Sequence, residues 1–92
     1  MNVAIFGKKD CARCKAAKNR ISHAVRKLAL EGKVRLSFLD MDTAEGLAEG
    51  MLNDVERIPT TIIRCREKEL ARWDGKAPLT AEFKRLIDDI YE

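Results

Sequence analysis

Cys11 and Cys14 are separated by only Ala12 and Arg13, and they follow directly on a short apolar run, Val3-Ala4-Ile5-Phe6-Gly7. From Cys14 onward the pattern turns helical. A thiol at the start of a helix meets unpaired backbone N–H groups and the positive end of the helix dipole, and both favour its thiolate form. Lys8, Lys9 and Arg13 add positive charge beside it. Cys11 should therefore titrate below the value of about 8.5 typical of a free thiol. A second thiol three residues on lies about one helical turn away, near enough to close a disulfide. A thiolate with a resolving thiol beside it suits thiol–disulfide exchange.

The surrounding elements must hold that pair. Residues 2–6 read as a short buried strand. Cys14, Ala17, Ile21, Ala24, Val25 and Leu28 recur at helical spacing as one inward stripe, with Lys15, Lys18, Asn19, Ser22, Arg26 and Lys27 on the other face. Gly32 is the expected stop of this helix. Residues 33–40 alternate as a second strand, with Val34, Leu36 and Phe38 on one face. Asp42 or Thr43 can cap a second helix carrying Ala44, Leu47, Ala48, Met51 and Leu52. Gly46 and Gly50 weaken it, so it should be short and depend on tertiary contacts. The β-branched run Ile58-Pro59-Thr60-Thr61-Ile62-Ile63 is a strand entered through proline, and residues 69–73 return as a hairpin after Arg66-Glu67-Lys68. Residues 74–78 are loop, and Thr80 is the expected cap of a last helix with Phe83, Leu86, Ile87 and Ile90 inward. A parallel first pair joined by a right-handed helical crossover, plus the hairpin, gives one sheet with helices on both faces.

Ninety-two residues suffice for one domain, 1–92, with a single modest core. No apolar stretch approaches a membrane span, and Lys8 arrives too early for a signal peptide, so a cytoplasmic location with no membrane partner is expected. Three cysteines are an odd number, which argues against a secreted disulfide framework. Charge is unevenly spread: residues 1–39 hold ten Lys or Arg against Asp10 and Glu31. Nucleic acid would be one reading of such a basic half. The only aromatics there, Phe6 and Phe38, lie in apolar strand patterns, so no stacking surface accompanies the charge and no nucleic-acid partner is expected.

The element order, with Cys-x-x-Cys after the first strand and Ile58-Pro59 before the third, resembles the thioredoxin fold. The run from Val3 to Cys14 is similar to the opening of glutaredoxins, where an apolar strand and Gly lead through a basic residue to the motif. The resemblance implies an α/β thioredoxin fold, β-α-β-α-β-β-α, with a four-stranded mixed sheet and three helices. It implies a glutaredoxin- or thioredoxin-like protein disulfide oxidoreductase, in which Cys11 is the nucleophile, Cys14 the buried resolving thiol, and the two form the redox-active disulfide. By composition Pro59 is a trans proline at a strand entrance; the resemblance instead implies a cis bond that presents the Ile58 backbone beside Cys11 to a substrate strand. Substrate contacts are expected from Lys8 and Arg13 near the pair and from Ile58, Pro59 and Thr60 opposite it.

The chain departs from these families at several points. Asp10 and Ala12-Arg13 replace the Trp and Gly-Pro of thioredoxins, Ile5 stands near the position of their buried carboxylate, and Leu70–Gly75 lacks the Gly-Gly pair of glutaredoxins. Thioredoxin-like glutaredoxins served by a thioredoxin reductase are an equal comparison. The electron donor is accordingly glutathione or a thioredoxin reductase; no tightly bound cofactor is expected, glutathione is a possible co-substrate, and the chain is expected to be a monomer acting on protein disulfides. Lys8 suits a glutathione carboxylate or a solvated surface equally. Cys65 reads as a small hydrophobe in a central strand, His23 as surface and Trp73 as packing. The alternative function is a metal-binding module, either copper-chaperone-like or holding an iron–sulfur cluster through Cys11. Copper-chaperone domains usually carry Met where this chain has Lys9, and they run β-α-β-β-α-β. No metal ligand is assigned.

Overall fold

Seven elements follow the expected order: β1 (Asn2–Gly7), α1 (Ala12–Lys27), β2 (Arg35–Asp40), α2 (Ala44–Leu52), β3 (Thr60–Cys65), β4 (Lys68–Trp73) and α3 (Thr80–Tyr91). The structure is a computed structural model that describes residues 1–91; Glu92, the end of the expected domain, lies outside the described residues. The sheet runs β2-β1-β3-β4. β1 pairs parallel with β2, Val3 opposite Leu36, and antiparallel with β3, Val3 opposite Ile63; β3 and β4 close the hairpin. This is the four-stranded mixed sheet and three-helix order of the thioredoxin fold.

Alternation along the strands sends side chains to two different layers. Val3, Ile5 and Ile63 join Ala17, Ile21, Ala24 and Val25 of α1 and Phe83 and Ile87 of α3 in the main core. The fully buried Phe6, Ile62 and Thr60 fall on the opposite side of the pleat, the side of α2. The helical stripe expected for α1 is thus the buried one, with Leu28 half-buried at its end.

Two helix boundaries differ from the sequence reading. α1 ends at Lys27 rather than at Gly32, and Ala29 takes the left-handed conformation, φ 55°, that glycine usually supplies. The Leu30 N–H bonds the Val25 carbonyl, 2.8 Å, and this turn drives Leu30 into the core at 6% exposure. Burial of Leu30 decides the ending where glycine content does not. At α3, Thr80 is inside the helix rather than its cap. The Leu79 carbonyl accepts from Phe83 N–H, 3.0 Å, and the Glu82 carboxylate reaches back to Leu79 N–H, 3.0 Å.

The α2 layer is built on its glycines. Gly46 and Gly50 are the buried residues of the helix, while Leu47, Met51 and Leu52 are exposed. A Cβ on Gly46 would run into the Asp40 carbonyl, and one on Gly50 would meet Met41 Sδ at 2.6 Å. Thr43 caps the N-terminus by accepting from Gly46 N–H, 3.0 Å. At the other end Arg72 donates to the carbonyls of Asn53, 2.6 Å, and Asp54, 2.7 Å, and Arg64 bonds the Asn53 side chain. The glycines that lower helix propensity are what let this helix lie close to the sheet.

Gly46→Ala should therefore destabilise the fold by roughly 1–3 kcal/mol in urea titrations, an overpacking cost that exceeds the propensity gain of about 1 kcal/mol. Gly32→Ala, with nothing near its added Cβ, should be neutral or stabilising. A second expectation concerns Glu82, whose carboxyl is held below its ordinary 4.5 first by the Leu79 N–H and then by Trp73 Nε1. Its ionised form is favoured in the folded state, so its stabilisation is present above about pH 4.5 and is lost as pH falls through the lower folded value. The stability difference between wild type and Glu82→Gln in urea titrations should be seen at neutral pH and shrink progressively as pH falls below about 4.5.

Candidate active site

Cys11 is the N-cap of α1. Its backbone is extended, φ −115° and ψ 110°, and its sulfur accepts the Cys14 backbone N–H at 3.1 Å. No acidic residue occupies the first turn of α1, so the positive end of the helix is not neutralised from within. Cys11 is half-buried and Cys14 is fully buried. The two are joined as a disulfide with Cα atoms 5.2 Å apart. Cys11 thus keeps partial exposure while Cys14 has none, the asymmetry that an attacking thiol and a resolving thiol require.

Gly7 makes this seat possible. A Cβ at Gly7 would lie 2.9 Å from both the Cβ and the Sγ of Cys14 and 3.3 Å from Phe38 Cε1. Its carbonyl accepts from Met41 N–H, 2.8 Å, tying the end of β1 to the chain leaving β2. The basic turn that follows carries Lys8, whose ammonium stands 3.5 Å from the Asp42 carboxylate with both groups well exposed. Such a pair contributes little to stability, about 0–1 kcal/mol, but it gives Lys8 an internal partner at the rim.

Opposite α1, the Ile58–Pro59 bond is cis, as the resemblance implied. Pro59 is buried and Ile58 half-buried. Thr60 is fully buried, opposite Phe6 in the sheet, and its hydroxyl donates to the Arg57 carbonyl at 2.6 Å. Its side chain therefore fixes the approach to β3 and offers no group to the surface. Arg13 crosses from α1 to the loop before α3, donating to the Gly75 carbonyl at 2.7 Å. Thr61 anchors that same loop from the sheet through the Lys76 carbonyl, 3.2 Å.

Of the expected site residues, Cys11 and Cys14 are bonded, and Arg13 and Pro59 line one cavity with Ala16, Ala17, Arg20, Gly75, Lys76 and Ala77. Lys8 points instead to Asp42. Sequence reasoning missed Gly7 as the seat of Cys14, although a glycine directly before the basic turn was a visible signal. Arg20 and Lys76 carried no signal, since only the fold brings them together. Cys65 is a half-buried free thiol at the end of β3, and His23 is exposed. Trp73 packs on the core and donates to Glu82, 3.4 Å. Among the described residues no group of three or more His, Cys, Asp or Glu is gathered as a metal site would need.

Comparison with known proteins agrees with this architecture. The profile of the thioredoxin domain family matches residues 1–88. Thioredoxin-2 of a malaria parasite, described as a component of its protein secretion machinery, superposes with a TM-score of 0.77 at 24% identity, over 96% of this chain and 81% of that one. Thioredoxin 1 from Thermosipho africanus gives 0.76 at 21% identity, over 98% and 93%. Oxidised mitochondrial thioredoxin 3 from Saccharomyces cerevisiae gives 0.72 at 22% identity, over 95% and 76%. At these identities the structural likeness speaks to the fold. No curated protein sequence matches the chain. A close cysteine pair on a thioredoxin-like fold supports thiol–disulfide oxidoreductase chemistry in general.

The contact between Gly7 and Cys14 predicts its own test. Gly7→Ala should lower stability by roughly 1–3 kcal/mol, because the new methyl meets a fully buried neighbour. Urea unfolding of the oxidised and the reduced protein should show the loss in both, since the contact includes Cys14 Cβ as well as its sulfur.

Proposed function

The chain belongs to the thioredoxin domain family, and on that premise we propose that it is a small dithiol oxidoreductase that reduces protein or mixed disulfides through Cys11 and Cys14. The observation that carries this reading is the half-exposed Cys11 capping α1 directly above a fully buried Cys14.

In the reduced protein the Cys11 thiolate attacks one sulfur of a substrate disulfide. A Cys11–substrate bond forms, the substrate S–S bond breaks, and the leaving thiolate takes up a proton. Cys14 then loses its proton and attacks Cys11 Sγ, releasing the second substrate thiol and leaving the Cys11–Cys14 disulfide. Two electrons have passed from protein to substrate. Glutathione or a thioredoxin reductase returns them. The absence of the Gly-Gly pair before α3, where Arg13 instead bonds Gly75, supports a reductase over glutathione as donor. Ile58, next to the cis-proline, supplies backbone groups to an extended substrate segment in this reading.

Cys11→Ser should abolish turnover of a protein disulfide. Cys14→Ser should accumulate a mixed disulfide on Cys11, visible as an added substrate mass that dithiothreitol removes. Cys65→Ala should keep the rate. Parallel assays with thioredoxin reductase and with glutathione plus its reductase decide the donor. Full turnover by Cys11→Ser would remove the proposal.

A further inference from the structure

Residues 13, 16, 17 and 20 lie on one face of α1, the helix that Cys11 caps, and that face forms one wall of a cavity whose first residue, Arg13, stands between the two cysteines in sequence. Pro59 and residues 75–77 form the other wall. The cavity holds about 200 Å³, the scale of one acidic side chain or small carboxylic acid. Its charged lining is Arg13, Arg20 and Lys76, and among the described residues no carboxylate lines it. Ala16, Ala17, Pro59 and Ala77 supply the apolar part of its lining. Arg13 uses one N–H on the Gly75 carbonyl. A guanidinium carries five N–H donors, so others stay free while that bond fixes the head at the cavity mouth.

We propose that this cavity binds a carboxylate carried by the disulfide substrate, close to its reactive sulfur, and so makes the protein selective for acidic disulfides. The inference rests on the oxidoreductase reading above and adds the substrate's charge. The carboxylate accepts from Arg13 and Arg20 and pairs with Lys76 while the neighbouring sulfur meets Cys11. Its source is either a small acidic disulfide or an acidic residue beside a cysteine in a protein.

The test is the rate at which fully reduced protein is oxidised in a single turnover, so that no electron donor is involved. Dithiodipropionate, hydroxyethyl disulfide and cystamine provide acidic, neutral and basic probes, each normalised to its reaction with a free small thiol. Wild type should favour the acidic over the neutral probe by about tenfold or more, the scale of one charge-assisted hydrogen bond, and should disfavour cystamine. Arg20→Gln/Lys76→Gln should bring the ratio of acidic to neutral probe near one. Arg26→Gln/Lys27→Gln, at the far end of α1, should keep it, which separates the cavity from general attraction by the basic helix. A second arm compares disulfide peptides bearing Glu or Gln beside the cysteine. Loss of selectivity in the small-probe arm assigns a small acid as ligand, and loss in the peptide arm assigns a protein carboxylate. No selectivity in either arm, selectivity surviving the cavity double variant, or equal loss in the distal one overturns the proposal. Failure of wild type to react with hydroxyethyl disulfide would instead overturn the oxidoreductase reading.

Discussion

Everything around the site depends on placing the Cys14 sulfur in full burial while its partner stays within reach of solvent. That requires β1 to end directly beneath the first turn of α1, and only a residue without a side chain fits at the contact. Gly7 meets that demand, with Cys14 atoms where its Cβ would be. The turn of Lys8, Lys9 and Asp10 then returns the chain so that Cys11 caps the helix. The central position of β1, paired on both sides, holds this junction rigid.

The two layers of the sheet meet that need by different physics. On one side α1 and α3 bury branched and aromatic side chains, and the hydrophobic effect stabilises the contact. On the other, α2 approaches through Gly46 and Gly50 and leaves Leu47, Met51 and Leu52 exposed. Its attachment comes from close backbone approach and from hydrogen bonds at its ends, through Thr43 at one and Arg64 and Arg72 at the other. Arg72 also donates to the Asp74 carboxylate; this bond raises the pKa of a guanidinium that is charged in any case, and it holds that group in place for the clamp.

Element order, the cysteine pair and the buried stripe of α1 were legible because each is a local pattern with a single physical cause. The cis bond was legible only through resemblance, since nothing in the composition of Ile58-Pro59 selects that isomer. The α2 glycines were legible in part: propensity gives the short helix dependent on tertiary contacts that is found, whereas the close approach that no side chain would permit is visible only in the packing. The end of α1 was likewise set by Leu30 seeking the core and not by the nearest glycine. Thr60 and Arg20 show the same limit in the site. One is turned inward by its register opposite Phe6, and the other is brought to the cavity by a loop more than fifty residues away.

Charge follows the layers. Residues 40–56, which include α2, carry six carboxylates and no Lys or Arg, while residues 1–39, which include α1, are strongly basic. α1 and α2 lie on opposite faces of the sheet, so a basic helix and an acidic helix flank it, and the cysteine pair lies at the start of the basic one. The exposed Lys8–Asp42 pair marks the seam between them. A field of this kind does not determine the fold, but it orients an approaching partner before contact and raises the encounter rate at low ionic strength. The same basic helix begins at the sulfur itself, where Cys11 caps α1 and accepts the Cys14 backbone N–H.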